Sequence, residues 1–272
     1  MRTQSVWDEV APSRQRALVL GALQPITTET EFLEEAGIQF VVRRVSSLVQ
    51  KARVPQGATA THTNPFLPCD PDLFVAEISP THVALLNKYN VIDHHILVVT
   101  RVFEEQRGTL TVADFDAAAR CLDGSECLVF YNSGPIAGAS QPHRHLQAVP
   151  LPLFPKLPAI PLEPLFGALP FRHTLQRFGV APGLGASAAA MHEVYLRTLG
   201  ALGLVGAPYP APYNLLLTRR WMLVVPRTVE YFEGISINAL AFAGSLFVKD
   251  AGELARLRSA GPLAALRTVV GG

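Results

Sequence analysis

Prolines at Pro150, Pro152, Pro155, Pro158, Pro161, Pro164 and Pro170 crowd one stretch of the 272-residue chain. Each lacks a backbone N–H and fixes φ, so residues 150–170 form neither a regular helix nor a central strand. They read as a segment crossing between two halves, 1–160 and 161–272. Before the crossing, apolar β-branched runs at 38–45, 73–78, 83–86, 95–99, 127–131 and 143–149 predict strands, with a polar loop over 48–63. Thr111 and Asp114 make a capping box for a helix through Leu122, which Gly124 ends. After the crossing, Ser187 caps a helix carrying Met191, Val194, Tyr195, Thr198, Leu199 and Leu202 on one core-facing side. Strands 213–218 and 221–225 flank the turn Arg219-Arg220, and helices are expected over 249–258 and from Pro262. The pattern predicts an α+β fold, an antiparallel sheet with flanking helices. The runs His94 to Arg101 and Trp221 to Arg227 are alike enough to suggest an old duplication.

Charge narrows the partners. Lys and Arg number 23 against 22 Asp and Glu, which argues against a protein that coats nucleic acid or anionic membrane. A small anion needs only a local cluster of donors. No apolar run approaches the roughly 20 residues that span a bilayer. The N-terminus carries Asp8, Glu9, Arg14 and Arg16 with no apolar leader. Cys69, Cys121 and Cys127 are odd in number and lack the spacing of a zinc or redox pair. A soluble cytoplasmic protein with reduced thiols and no metal site is expected. The oligomeric state is open, and a monomer is compatible.

Chemistry concentrates between Asn132 and Gln147. Side chains two apart share one face of a strand, so His143, His145 and Gln147 are expected on one side and Arg144 and Leu146 on the other. Two imidazoles and an amide are costly to bury without partners. Gly134, Gly138, Ala139 and Ser140 precede them, and small residues let backbone N–H groups cradle an anion. A neutral imidazole is a good nucleophile toward phosphorus. A second histidine could donate an N–H as charge develops. Gln147 can hydrogen-bond but cannot shuttle a proton, which suits a polyphosphate leaving group and favours transfer over hydrolysis. The bland reading of His143 and His145 is a metal-binding or surface pair. Asn132 could be turn chemistry after a strand, although ligand contact is favoured; Lys51 alone reads as a surface lysine, and Arg43-Arg44 as a solvated pair. His94 and His95 are adjacent on a strand, so one is expected exposed and one packed. Trp221 and Phe242 read as core.

The segment Gly138-Ala139-Ser140-Gln141 with His143, His145 and Gln147 resembles the His-x-His-x-Gln branch of the histidine-triad superfamily. That branch holds hexose-1-phosphate uridylyltransferases and the ATP adenylyltransferases, or diadenosine tetraphosphate phosphorylases. Further blocks resemble the second group: Asn64 to Pro68, Leu73-Phe74-Val75, Leu86 to Val91, Tyr213 to Thr218, Trp221-Met222 and Val225-Pro226-Arg227. The likeness runs from about residue 41 to 248. It implies a histidine-triad fold in duplicated halves, the first bearing the catalytic strand and the second completing the nucleotide site. It also implies attack by His145 on the α-phosphorus of diadenosine tetraphosphate, expelling ATP. Phosphate would then attack the bound AMP and release ADP, and the reverse would join ATP and ADP. By the same resemblance Lys51, Asn87, Lys88, Asn132, Gly138, Ala139, Ser140, Gln141 and Arg219 would contact substrate. Arg219 stands where the family commonly has Lys. No cofactor is obligatory, although a divalent cation such as Mg²⁺ could shield the polyphosphate. The rival readings are a hexose-1-phosphate nucleotidyltransferase and a non-catalytic nucleotide- or metal-binding protein of cupin type. The first lacks its His-Pro-His and cysteine pair here. The second would need a further Glu and His, absent at the required spacing from residues 148–172.

Overall fold

The computed structural model describes residues 5–45, 64–178 and 184–271. Lys51 and the loop expected over 48–63 lie outside them. In chain order the elements are α1 (Val6–Val19), β1 (Thr28–Glu35), β2 (Ile38–Val45), β3 (Phe74–Glu77), β4 (His82–Leu86) and β5 (Ile96–Thr100). Then come α2 (Val112–Leu122), β6 (Cys127–Asn132), β7 (His145–Pro150), β8 (Thr174–Arg177), α3 (Leu184–Ala201), β9 (Tyr213–Leu217) and β10 (Trp221–Pro226). The two-residue strands β11 (Tyr231–Phe232) and β12 (Ile235–Ser236) precede β13 (Ser245–Val248), α4 (Ala251–Ala260) and α5 (Pro262–Val270).

Eight strands lie side by side in the order β3, β4, β5, β7, β6, β9, β10, β8, and every neighbouring pair is antiparallel. Because β6 pairs with β9, a single sheet continues across the proline segment. A small sheet, β1-β2-β13, departs from the all-antiparallel expectation: β13 runs parallel to β2. It reaches β2 by a long crossover, so no hairpin dictates its direction.

The period-two alternation of the large sheet divides its side chains between two cores. Leu128, Phe130, Val149, Leu216, Trp221 and Leu223 pack with Phe40, Val42, Phe166 and Phe242 on one face. Val129, Tyr131, Leu146, Leu215, Met222 and Val224 pack with Phe115, Tyr195 and Leu199 on the other. Helices α1, α2 and α3 cover the second face; the small sheet, the proline segment, α4 and α5 cover the first. Each large apolar side chain buried this way contributes about 1.5–3 kcal/mol. The proline segment carries only a short 3-10 turn, Glu163–Leu165. Its apolar residues Leu153, Ile160, Leu162 and Phe166 are driven into the first core. Toward β4 and β5 the layer on the first face ends. Phe66, Val83, Leu85, Leu97 and Val99 form a separate small cluster there.

Several expectations shift. The capping box of α2 is present, with Thr111 and Asp114 reciprocally bonded. Helix α1 was not anticipated, because its sequence is polar and contains Pro12; its own capping box, Ser5 with Asp8, starts it. Helix α3 begins at Leu184, so Ser187 lies inside it rather than at its cap. Arg43 is buried, not solvated, because β13 pairs beside β2 and covers it. Its guanidinium donates to Ser245 Oγ at 2.5 Å and Leu153 O at 2.7 Å.

Candidate active site

Strand β7 carries the site. It is held between β5 and β6, with Val99 opposite His145 and Leu97 opposite Gln147. On the β6 side the ladder ends at Phe130 and Gln147. The side chain of Gln106 takes over as a rung between the strands. His145 N donates to Gln106 Oε1 at 2.8 Å, and Gln106 Nε2 donates to Asn132 O at 2.8 Å and His145 O at 3.2 Å. The N–H and the C=O of His145 are therefore both held by one side chain, Gln106.

The His145 and Gln147 side chains line a cavity of about 580 Å³. His145 Nδ1 lies 2.8 Å from the backbone carbonyl of His143. A carbonyl only accepts, so Nδ1 carries the proton and Nε2 bears the lone pair. Among the described residues Nε2 has no partner. Phe66 packs 5.3 Å from the ring. Burial pushes the His145 pKa down to about 4, so the ring is neutral at pH 7.

His143 departs from its expected place. Strand β7 starts only at His145, and residue 143 forms an isolated bridge to Glu105. Its ring is fully buried between Phe66 and Phe103, with centroids 5.6 and 5.5 Å away. Asn64 Nδ2 donates to its Nδ1 at 2.9 Å, and its Nε2–H donates to Thr100 O at 2.9 Å. Thr100 Oγ1 lies at the same distance from that nitrogen. No N–H of His143 is left for a phosphate. Its backbone carbonyl, not its ring, serves His145.

Asn87, Lys88, Asn132, Gly138, Ser140 and Gln141 share the cavity wall. Ala139 lies between two of them but does not line it. The loop is built for close approach. Gly138 has φ +88°, and a Cβ there would meet Ile237 O at 2.9 Å, so only glycine fits. Asn132 Oδ1 accepts from Asn214 Nδ2 at 2.8 Å and Ala239 N at 2.9 Å, which turns its NH₂ away from both. Arg227 backs this arrangement through Asn214 Oδ1 at 2.6 Å and Ile237 O at 2.8 Å. A second cavity of about 290 Å³ shares Asn87, Tyr89, Gln147 and Asn238 with the first. Its apolar walls include Ile92, Leu240 and Phe247.

Arg219 is not brought to either cavity. Its guanidinium donates to the Leu122 carbonyl and, at 3.2 Å, to Asp123 Oδ1. The β9–β10 turn packs on the C-terminal end of α2, where a cation is favoured. Among the described residues no three His, Cys, Asp or Glu side chains gather to hold a metal. No described helix is long and apolar enough to cross a membrane.

Sequence reasoning passed over four residues: His95, Gln106, Asn214 and Arg227. The signal for Asn214 was a lone amide inside an otherwise apolar strand. His95 is buried as one of the adjacent pair was expected to be, but it also reaches Gln147 Oε1 at 3.0 Å. Nothing local pointed to Gln106.

Comparisons with known proteins give the family. Residues 1–168 match the Ap4A phosphorylase N-terminal domain family, and residues 167–271 the ATP adenylyltransferase C-terminal domain family. The chain is 30% identical to diadenosine 5',5'''-P1,P4-tetraphosphate phosphorylase 2 of Saccharomyces cerevisiae, over 80% of this chain and 79% of that protein. It is 27% identical to protein APA1 of the same yeast, over 85% of this chain and 82% of that one. The crystal structure of yeast Ap4A phosphorylase Apa2 in complex with AMP superposes with a TM-score of 0.79 at 25% identity, covering 100% of this chain and 99% of that one. Matched over its whole length in sequence and in fold, the chain belongs to the Ap4A phosphorylase family of ATP adenylyltransferases.

Proposed function

We propose that this chain catalyses the phosphorolysis of diadenosine tetraphosphate to ATP and ADP, and the reverse synthesis, through an AMP–His145 intermediate. The observation that carries the proposal is the His145 tautomer, with Nδ1–H tied to the His143 carbonyl and the Nε2 lone pair left for the cavity. In the first step Nε2 attacks the α-phosphorus. The Nε2–P bond forms, the bond to the β-phosphate oxygen breaks, and ATP leaves. No proton has to move, because the positive charge on the ring is stabilised by the His143 carbonyl. In the second step an oxygen of inorganic phosphate attacks the same phosphorus, the Nε2–P bond breaks, and ADP leaves with the imidazole neutral again.

The Gln147 and Asn132 amides would donate to the non-bridging oxygens as charge develops. Asn87, Lys88, Ser140, Gln141 and the backbone at Gly138 and Ala139 would bind ribose and phosphates, with Lys51 as a further cation. A divalent cation such as Mg²⁺ arriving with the polyphosphate would shield its charge. The 1–160 half supplies the nucleophile, and the 161–272 half supports the site through Asn214 and Arg227. The similar yeast Apa2 structure holds AMP, which supports nucleotides as the ligands here. Three free thiols fit a reducing cytoplasm.

The test is to incubate the protein with diadenosine tetraphosphate, with and without phosphate, and to separate the products by chromatography. ATP and ADP in equal amounts are expected only with phosphate present, and neither from His145→Ala. Product formation by His145→Ala at the wild-type rate would remove the imidazole from the mechanism.

A further inference from the structure

His95 is a buried imidazole that the two transfer steps leave unused. Its surroundings form a chain of hydrogen bonds running in one direction. Tyr89 N donates to Asn87 Oδ1 at 3.3 Å, which leaves Asn87 Nδ2 facing the His95 ring. Asn87 Nδ2 lies 3.2 Å from His95 Nδ1. An amide nitrogen only donates, so Nδ1 accepts and the ring proton sits on Nε2. That proton is donated to Gln147 Oε1 at 3.0 Å. Phe130 flanks the ring at 5.7 Å, and Asn87 N bonds the His95 carbonyl at 3.1 Å, so ring and backbone are both held. Burial pushes the His95 pKa down to about 4, which keeps the ring neutral with a single N–H to give.

With its oxygen occupied, Gln147 has only its NH₂ left for the cavity. We propose that His95 is a positioning residue that fixes the direction of the Gln147 carboxamide, and thereby favours phosphate over water as the group that resolves nucleotidylated His145. The proposal rests on the covalent reading above. A carboxamide showing only N–H attracts the oxygens of an incoming phosphate and offers nothing to orient a water. Turned over, the same amide places Oε1 in the cavity, where it repels phosphate oxygens and accepts a hydrogen bond from water. Hydrolysis would then compete: a water oxygen bonds to phosphorus, the Nε2–P bond breaks, AMP leaves, and the extra proton passes to solvent.

Product partition reads this directly, because phosphorolysis yields ADP where hydrolysis yields AMP. The full-length protein, His95→Phe and His95→Gln are incubated with diadenosine tetraphosphate across a series of phosphate concentrations. In His95→Phe the AMP-to-ADP ratio is expected to rise at least ~10-fold and the KM for phosphate about tenfold, for the loss of one oriented donor. In His95→Gln, whose amide nitrogen reaches where Nε2 was, both return to within about threefold of wild type, as expected for one retained hydrogen bond. A folded His95→Phe with unchanged ratio and KM would overturn the proposal, as would equal changes in both variants. Should the phenylalanine variant not fold, ¹⁵N NMR of the wild-type His95 ring decides: a proton on Nδ1 instead of Nε2 removes the lock. Failure of the wild type to make ATP would instead bring down the covalent reading itself.

Discussion

Strand β7 turns one face to the cavity and the other to the packed interior, and the two faces treat their polar groups in opposite ways. On the cavity side, His145 and Gln147 are each bonded at one end and open at the other. On the interior side most polar atoms are bonded, although Arg144 Nε is buried without a partner among the described residues. Arg144 reaches Glu104 and lies 3.4 Å from Asp114 Oδ2. Asp114 accepts from Thr111 N at 2.7 Å, Thr111 Oγ1 at 2.8 Å and His82 Nε2 at 3.1 Å. Nearby, the Tyr195 and Tyr213 hydroxyls are 2.6 Å apart. Burial would push the Asp114 carboxyl up, but the His82 bond, the Arg144 charge and the Thr111 bond outweigh it, so its pKa lies below the usual value. The contrast shows how a half-satisfied imidazole is tolerated: the bonded interior face anchors the strand that presents the open one.

Substitutions on the two faces should separate activity from stability. The largest effect is expected from His145→Ala, which lowers kcat on the order of 10⁴-fold or more. The same change should cost less than about 2 kcal/mol of stability, read by urea unfolding. A large stability loss with modest activity loss would mean that the ring is structural. Asp114→Ala should behave oppositely. It takes one of two carboxylates from Arg144, leaves His82 Nε2 without its acceptor and breaks half of the α2 capping box, and it should cost about 3–5 kcal/mol while the folded fraction keeps its turnover within tenfold. Wild-type stability in Asp114→Ala would show that the interior network is not what stiffens β7.

Acid should weaken both faces, in sequence. His95 and His145 have folded pKa values of about 4, below the ordinary value near 6.5. Keeping the rings neutral therefore carries no penalty above pH 6.5, and stability is lost as pH falls toward 4, on the order of 3 kcal/mol per ring relative to neutral pH. Asp114, whose pKa is also lowered, adds a further loss below the usual carboxylate range. Unfolding curves at pH 7, 5.5 and 4.5 should show stability falling throughout, and a flat profile would mean that the rings are not buried neutral. The smallest effect is expected from Arg219→Ala. An exposed ion pair and one helix-end bond are worth about 1 kcal/mol or less. Phosphorolysis should stay within threefold of wild type, and a larger loss would return Arg219 to the cavity.

Much of the site was readable because strand parity is a local rule. His145 and Gln147 line one cavity, as residues two apart on a strand should. Parity could not show that the His143 ring is closed off from the cavity, because Asn64, Phe66, Thr100 and Phe103, which enclose it, come from other parts of the chain. Polar residues inside apolar strands were visible in the sequence, yet their roles were not. Asn214 and Arg227 matter because β9 pairs with β6, and no local pattern states which strands become neighbours. Helix α1 was missed because its sequence is mostly polar and Pro12 stands inside it, where proline ordinarily breaks a helix.

The order of residues alone determined where regular structure is forbidden, which side chains alternate across a strand, and which groups are chemically able to attack phosphorus. Those properties depend on dihedral limits and on the atoms of single side chains. Only the tertiary structure decided which nitrogen of His145 is free, which way the Gln147 and Asn132 amides point, and that His143 works through its carbonyl. Hydrogen-bond direction is set by partners from distant parts of the chain, and these meet only once the sheet has assembled.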